Sequence, residues 1–286
     1  METIKGAEIF FNFIEIDYAE VPRLPHLVKD IYDEKLHGFV TRNVFSPEEV
    51  AQILHAFQSL RHEDIFTVPT GSVFPLPFAT LTDAGERLDE YTRRADKLRK
   101  MADASPAIST LLTRLDVFFK GVSEDFNTTV PKISKTGKPC APGNLRFFSP
   151  DKGGLFVHCG YIFQQQAPFY YTVVEPMALE RQLSFFLVLQ NSEIGGELTI
   201  YDMHWKDIKH KDSIEENNYV LDPGGKRVYL DSLRSFYVKP NPGDILIFSG
   251  GPIWHRVENI KGKNPRITFG GFLNFTPDDK GLRYWG

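Results

Sequence analysis

The hydrophobic positions of residues 1–130 recur mainly at helical spacing. Ser46-Pro47-Glu48-Glu49 has the pattern of a capping box with proline at the first helical position, which predicts a helix start. The apolar residues that follow at helical spacing are Val50, Ile53, Leu54 and Phe57. Two further helices are predicted from Ala84 to Ala102 and from about Pro106 to Phe119. We therefore expect this segment of the chain to be mainly helical.

After Pro131 the pattern changes to short apolar runs separated by glycine and proline, which is typical of an all-β sandwich or barrel. The predicted strands lie near 144–149, 155–161, 168–174, 182–190, 196–202, 227–230, 235–238, 244–249, 252–257 and 266–275. The stretch from Met203 to Gly225 is charged and irregular, and we expect it to cross the mouth of a barrel.

Composition and charge narrow the class of protein. Of the 286 residues, 42% are hydrophobic and 24% charged, which excludes disorder and coiled coil as overall descriptions. With 33 basic against 37 acidic residues, no basic excess favours nucleic acid. The longest dense apolar run, Leu183 to Leu189, is far shorter than the roughly 18 residues of a membrane span. The two cysteines, Cys140 and Cys159, form neither a disulfide scaffold nor a zinc motif, so we expect a cytoplasmic protein.

Two of the eight histidines, His158 and His255, lie in or beside apolar strands. The two-residue period of a strand over 155–161 puts His158 and Gly160 on one face. Position 160 is therefore where a two-histidine, one-carboxylate iron site would carry its acidic residue, and here it is glycine. Eleven residues after His255, Arg266 opens another strand. A hairpin would bring its guanidinium near His255, where it could bind a carboxylate through two hydrogen bonds.

Each of these residues also has a purely structural interpretation. A single histidine on an apolar strand is more often a core residue than a metal ligand, and Arg266 alone is more often part of a surface ion pair. Cys159 points away from His158 and is best explained as a small buried hydrophobe. The combination of both histidines, the glycine and the arginine favours a metal site.

This combination resembles the jelly-roll (double-stranded β-helix) dioxygenases that use iron(II) and 2-oxoglutarate, over roughly residues 144–286. Within that superfamily, glycine or alanine in place of the carboxylate marks the aliphatic halogenases. The sequence is most similar to the free-standing halogenases of the welwitindolinone type, which act on an indole-alkaloid carbon without a carrier protein. The shared motifs are His158-Cys159-Gly160, Leu183-Ser184, Gly195-Gly196-Glu197-Leu198, His255-Arg256-Val257, Pro265-Arg266, Gly270-Gly271-Phe272-Leu273 and Tyr284-Trp285.

The resemblance implies a mainly β fold with α: a jelly-roll core over 131–286, buttressed by the helical residues 1–130 in a single domain. It implies that His158 and His255 bind iron(II), that Arg266 binds the distal carboxylate of 2-oxoglutarate and that Gly160 leaves space for chloride. It also places Ser184 near the iron, although a core hydroxyl bonded to backbone explains that serine equally well. The implied reaction uses O2, abstracts hydrogen through a ferryl oxo and transfers chloride to the carbon radical of a free-standing small molecule.

The substrate side is less defined. We expect Val73, Phe74, Phe78, Tyr161 and Phe169 to line the mouth of the barrel, although core packing explains the same aromatic composition. Two alternatives to a halogenase stay open. One is a hydroxylase on the same scaffold, with water or a distant carboxylate such as Asp202 or Glu175 as third ligand. The other is a jelly-roll protein that binds a ligand without catalysis.

Overall fold

The computed structural model describes residues 2–3, 11–76, 86–161, 174–208 and 219–286. The four α-helices are α1 (Leu27–Tyr32), α2 (Pro47–Phe57), α3 (Glu86–Ala104) and α4 (Pro106–Gly121). The capping box of α2 is confirmed, because the Glu49 N–H donates to the Ser46 hydroxyl and the Ser46 N–H donates to the Glu49 carboxylate. The predicted start of α3 at Ala84 lies outside the described residues. None of the helices in the described segments of the chain is both long and apolar enough to cross a membrane.

The strands run along most of the described chain. They are β1 (Glu2–Thr3), β2 (Phe13–Asp17), β3 (Gly38–Arg42), β4 (Phe66–Val68), β5 (Gly71–Phe74), β6 (Asn127–Thr129), β7 (Asn144–Phe148), β8 (Gly153–His158), β9 (Ala178–Gln190), β10 (Leu198–His204), β11 (Tyr219–Leu221), β12 (Arg227–Tyr229), β13 (Ser235–Val238), β14 (Ile245–Phe248), β15 (Ile253–Ile260), β16 (Arg266–Phe275) and β17 (Gly281–Trp285). The strand predicted at 168–174 lies outside the described residues except for Val174.

Two sheets form the β core. The larger sheet has eleven strands among the described residues, with the central order β1-β2-β3-β14-β9-β16-β7-β5-β4, and β17 pairs with both β16 and β6. The smaller sheet has the order β13-β10-β15-β8 and is antiparallel throughout. One buried cluster joins the two, since it combines Leu198 and Ile200 of the smaller sheet with Val40 and Leu246 of the larger. The sheets therefore pack face to face.

The N-terminal segment contributes more than helices. The parallel pair β2 and β3 extends the larger sheet, because β3 pairs with β14 from Ile245↔Thr41 to Phe248↔Gly38. The expectation of a mainly helical segment is thus incomplete. The reason is physical: β3 is buried at four of its five positions, so its sequence shows no alternation of polar and apolar residues.

The helices cover the outer face of the larger sheet. The buried residues of α4 are Ile108, Leu111, Leu115, Phe118 and Phe119, and they belong to the same cluster as residues of β9 and β16. The segment predicted as irregular, Met203 to Gly225, begins with the end of β10 and a 3-10 turn over Trp205–Asp207, and it contains β11. Its residues 209–218 lie outside the described ranges.

Candidate active site

A cavity of about 730 Å³ lies between the two sheets. The smaller sheet contributes His158 and His255 to its wall, and the larger sheet contributes Ser184 and Arg266. Gly160 also lines the cavity. No aspartate or glutamate side chain occurs among its described lining residues, and the only cationic side chains among them are Arg146 and Arg266. The structure thus brings all five residues predicted at the centre of the site into one cavity.

His158 and His255 face each other across the pairing of β8 with β15. They are register partners, their ring centroids lie 4.3 Å apart, and each residue is 5% exposed. The Nδ1 atom of His158 lies 2.7 Å from the Phe156 carbonyl oxygen, and that of His255 lies 2.8 Å from the Ile253 carbonyl oxygen. Since a carbonyl oxygen only accepts, Nδ1 must carry the hydrogen in both rings, and in the neutral ring Nε2 then carries the lone pair.

Both histidines are held in the neutral form. Burial is the largest cause that lowers the pKa of His158, which falls well below its ordinary value, and the neighbouring His255 lowers it further. Burial likewise lowers the pKa of His255 to about 4, and the charge of Arg146 contributes. At neutral pH the two rings therefore offer lone pairs, which is the state that binds a metal ion.

Gly160 does not continue the strand that carries His158. The strand β8 ends at His158, and Gly160 and Tyr161 begin a helical turn, with the Gly160 N–H donating to the Gly250 carbonyl at 2.8 Å. A Cβ atom at position 160 would lie 3.1 Å from the Gly251 Cα and 3.2 Å from the side-chain amide of Gln182. The predicted strand over 155–161 is therefore too long by three residues. Glycine here leaves room for the amide of Gln182.

Ser184 approaches the cavity from the larger sheet. It lies in β9 between its register partners Phe248 and Phe272, and the residue is 8% exposed. A Cβ atom at position 250 would lie 2.3 Å from its hydroxyl oxygen, so the glycine at 250 makes room for this side chain.

Arg266 reaches the cavity from the first position of β16 and is 4% exposed. Its guanidinium carbon lies 4.9 Å from the centre of the Phe186 ring and 5.6 Å from that of Phe148. Burial lowers the pKa of Arg266 to about 10, so the group stays cationic at neutral pH. The predicted hairpin with His255 is wrong, because β15 and β16 belong to different sheets. Both residues nevertheless line the same cavity, from opposite sheets.

Arg146 is a cavity residue that the sequence pattern did not single out. It lies in the middle of β7, opposite Thr268 of β16 and Val73 of β5. The alternation of β7 contains the signal, since Asn144, Arg146 and Phe148 occupy one face of the strand and all line the cavity. A charged residue inside an otherwise apolar predicted strand would have pointed to it.

The predicted substrate residues take different places. Val73 lines the cavity. Phe74 is fully buried in the main hydrophobic cluster and is not among the lining residues. Tyr161 packs edge-on against Trp205, with ring centroids 6.2 Å apart, and is also not among them. Phe78 and Phe169 lie outside the described residues.

The two acidic residues considered as a third metal ligand form ion pairs outside the cavity. Asp202 forms an ion pair with Arg234 at 3.1 Å, and Glu175 forms one with Arg283. Neither acidic residue lines the cavity. Within the described ranges, histidine, cysteine and acidic side chains form no group of three or more that could hold a metal. The protein ligands available in the cavity are thus the two histidines.

Comparisons with known proteins agree with this geometry. A family model described as carrier-protein-independent halogenase WelO5 matches residues 10–286. The chain is also similar to the crystal structure of an N-substituted L-amino acid dioxygenase from Burkholderia ambifaria AMMD, with a TM-score of 0.57, 15% identity and coverage of 91% of this chain and 90% of that chain. The structure of that dioxygenase in complex with alpha-KG gives a TM-score of 0.55 at 15% identity, with the same coverage of both chains. No curated protein sequence matches this chain. The structural likeness shows the fold, so the predicted mainly β architecture with a jelly-roll core is confirmed.

Proposed function

Since this chain belongs to the family of carrier-protein-independent halogenases, matched over residues 10–286, we propose that it uses iron(II), 2-oxoglutarate and O2 to place chloride on an aliphatic carbon. The family is described as independent of a carrier protein, which supports a free small molecule as the substrate. The observation that carries the cofactor proposal is a buried pair of neutral histidines in a cavity whose described lining contains no acidic side chain.

The two histidines fit an iron(II) ion. Imidazole suits this metal, and both rings have Nδ1 committed to a backbone carbonyl, so Nε2 of His158 and of His255 would be the ligating atoms. These hydrogen bonds fix the orientation of the rings before any metal binds. When bound, iron together with 2-oxoglutarate and O2 supplies the oxidising power to remove hydrogen from an unactivated carbon.

Gly160 supports chloride as the anion beside the metal. A carboxylate at this position would fill a coordination position and offset one positive charge. Glycine leaves the coordination position open and the charge unbalanced, so a small anion such as chloride can fill the position and balance the charge. The backbone hydrogen bond from Gly160 to Gly250 and the neighbouring amide of Gln182 keep the position closed to a side chain.

Arg266 fits the distal carboxylate of 2-oxoglutarate. Its guanidinium is buried and cationic, and the two phenylalanine rings beside it hold it in place without neutralising it. A planar guanidinium can bind a carboxylate through two parallel hydrogen bonds. The Ser184 hydroxyl lies on the cavity wall opposite the histidines, and we assign it a positioning role for the groups that bind there.

The rest of the cavity suits an apolar substrate. Phe147, Phe156 and Phe186 line it, and its volume is in the range that binds small organic molecules. These apolar walls would shield a reactive carbon from competing chemistry with water. Val73 is the predicted substrate residue that lines this space, and we propose that it contacts the substrate.

The first experiment tests the metal and cosubstrate. We expect a visible charge-transfer band when iron(II) and 2-oxoglutarate are added to the protein without oxygen, and a change in this band on titration with chloride. His158→Ala should abolish the band. His204→Ala is the matched control, because His204 lies at the end of β10 and does not line the cavity. If the wild-type protein gives no band, a ligand-binding protein without metal chemistry is favoured.

The second experiment tests the reaction. With O2, chloride and a panel of apolar small molecules, we expect a product with one chlorine in place of one hydrogen, identified by its chlorine isotope pattern. Exclusive hydroxylation at every chloride concentration would instead identify the hydroxylase. We also propose a cytoplasmic location, which the two buried free cysteines support.

A further inference from the structure

The cavity holds two guanidinium groups on one face of the larger sheet. Arg146 of β7 lies directly opposite Thr268 of β16, and Arg266 lies two residues from Thr268 on the same strand. Side chains two residues apart share a face, so the two arginines are diagonal neighbours, at a typical distance of roughly 7–8 Å. Thr268 lies between them and lines the cavity as well.

Neither guanidinium has a direct anionic partner. Within the described ranges, no hydrogen bond or ion pair reaches the guanidinium group of Arg146 or of Arg266. The charge of Glu197 acts on Arg266, but the Glu197 carboxylate is itself paired with Lys239 at 2.7 Å. Burial lowers the pKa of both arginines to about 10, which leaves both cationic at neutral pH. Arg266 is buried and Arg146 is half-buried. Uncompensated charge that is wholly or partly removed from water is costly, so a pair of such cations in one cavity indicates that anionic groups bind there.

Arg146 lies on the side of the histidines. Along β16, the positions that line the cavity run from Arg266 through Thr268, the register partner of Arg146, to Phe272, the register partner of Ser184. Ser184 lies beside Gly250, whose carbonyl accepts a hydrogen bond from Gly160, so Arg146 lies between Arg266 and the end of the cavity that holds Gly160 and the histidines.

We propose that Arg146 binds the carboxylate of 2-oxoglutarate that adjoins its keto group, while Arg266 binds the distal carboxylate. This inference rests on the proposed function, since it takes 2-oxoglutarate as the cosubstrate. A five-carbon dicarboxylate can bridge diagonal neighbours on one sheet face, and its keto end then lies toward the histidines. Chloride is a poorer match for Arg146, because the position proposed for it at Gly160 adjoins Gln182 and Gly251.

Two monocarboxylates separate the two roles. In 2-oxopentanoate, a methyl group replaces the distal carboxylate of 2-oxoglutarate. In 4-oxopentanoate, a methyl group replaces the carboxylate beside the keto group. The binding of each monocarboxylate is measured by calorimetric titration into the protein loaded with Mn(II). This ion takes nitrogen and oxygen ligands similar to those of iron(II) and does not react with O2. Arg146→Met and Arg266→Met remove one charge each at similar length.

We expect Arg146→Met to weaken 2-oxopentanoate binding by about 30-fold, because a charge pair inside the cavity is lost, and to leave 4-oxopentanoate binding within a few-fold. Arg266→Met should show the opposite pattern. The matched control is Arg234→Met, because Arg234 is exposed and pairs with Asp202 outside the cavity. Both ligands should bind this control as they bind the wild type.

The melting temperature of the variant shows whether weaker binding comes from a loss of folding. In the metal-free protein without ligand, Arg146→Met should melt at a higher temperature than the wild type, because an uncompensated cation has been removed. The inference is overturned if Arg146→Met leaves 2-oxopentanoate binding unchanged, weakens both monocarboxylates equally, or weakens chloride binding alone. A wild-type protein that binds no 2-oxoglutarate at all would instead refute the proposed function.

Discussion

Position 160 is the residue at which the proposed function makes its most specific demand, since a carboxylate there would compete with the proposed chloride. The Gly160 backbone is fixed by its hydrogen bond to Gly250, and the space that a Cβ atom would take is bounded by Gly251 and Gln182. A new side chain there must displace the amide of Gln182, which is 3% exposed. Steric and electrostatic effects of a substitution can therefore be separated.

We predict that Gly160→Ala and Gly160→Asp each lower the free energy of unfolding by about 1–3 kcal/mol, because both insert a Cβ atom into a tight contact. Only Gly160→Asp should abolish the chloride-dependent change of the iron(II) band, since only its carboxylate competes with the anion. Urea unfolding and chloride titration measure the two effects. Undiminished chlorination by Gly160→Asp would show that the halide binds elsewhere.

Some residues of the site could be predicted from the sequence and others could not. His158, His255 and Arg266 could be found because they interrupt or end apolar runs in a spacing that a known family shares. Arg146 was marked only by its charge inside an apolar predicted strand, and Gln182 had no such mark. The roles of both residues depend on which strands become neighbours. Register across β7, β16 and β5 is set by tertiary packing and is invisible in a single sequence.

At the level of elements, one ion pair connects the two helices that cover the sheet. Arg114 of α4 donates to both carboxylate oxygens of Glu49 in α2, at 2.6 and 2.7 Å. The same guanidinium donates to the Val44 carbonyl and lies 4.9 Å from the centre of the Phe45 ring. The hydrogen bonds from Arg114 hold the pKa of the Glu49 carboxyl below its ordinary value.

We predict that Glu49→Gln lowers the free energy of unfolding by about 1 kcal/mol at pH 7, because it removes the ion pair but keeps a residue that completes a capping box. A carboxyl whose pKa is lowered by folding stabilises the protein fully at a pH above the pKa it has in the unfolded chain. This stabilisation is lost as the pH falls through the lower pKa that the carboxyl has in the folded protein. The difference between wild type and variant should therefore shrink below about pH 4. Urea unfolding at pH 7 and pH 3 measures it, and a constant difference would assign the effect to the cap alone.

Elements with their own periodic signal were predicted best. The capping box and core stripe located α2, and the helices α3 and α4 followed their predicted ranges closely. The strands β2 and β3 were missed. Strand β3 is buried at four of its five positions and has no polar face to mark it, whereas β2 alternates apolar and acidic residues but is only five residues long. The false hairpin between β15 and β16 has a related cause, since adjacent strands in a jelly roll belong to opposite sheets.

For the whole molecule, the single-domain organisation over 1–286 stays a prediction. The pairing of β3 with β14 and of β5 with β7 supports it, because strands from both halves of the chain share one sheet. The three tryptophans, Trp205, Trp254 and Trp285, all lie after residue 130. The helices α1 to α4 all lie before it.

We therefore predict that urea unfolding gives the same midpoint and slope by tryptophan fluorescence, which reports the β core, as by far-ultraviolet circular dichroism at the helical band. The Glu49→Gln variant should move both transitions together. Two separated midpoints would show that the helical segment and the β core unfold independently.

The contact between position 160 and Gln182 also bears on how such enzymes diverge. Codons for glycine and aspartate can differ by a single base, so a mutation from a halide site to a three-ligand site is easily reached. In this protein the new carboxylate would meet the Gln182 amide before it met a metal. An ancestor crossing between the two chemistries would need a compatible residue at 182 first, so the order of the two mutations decides whether the path is open to selection.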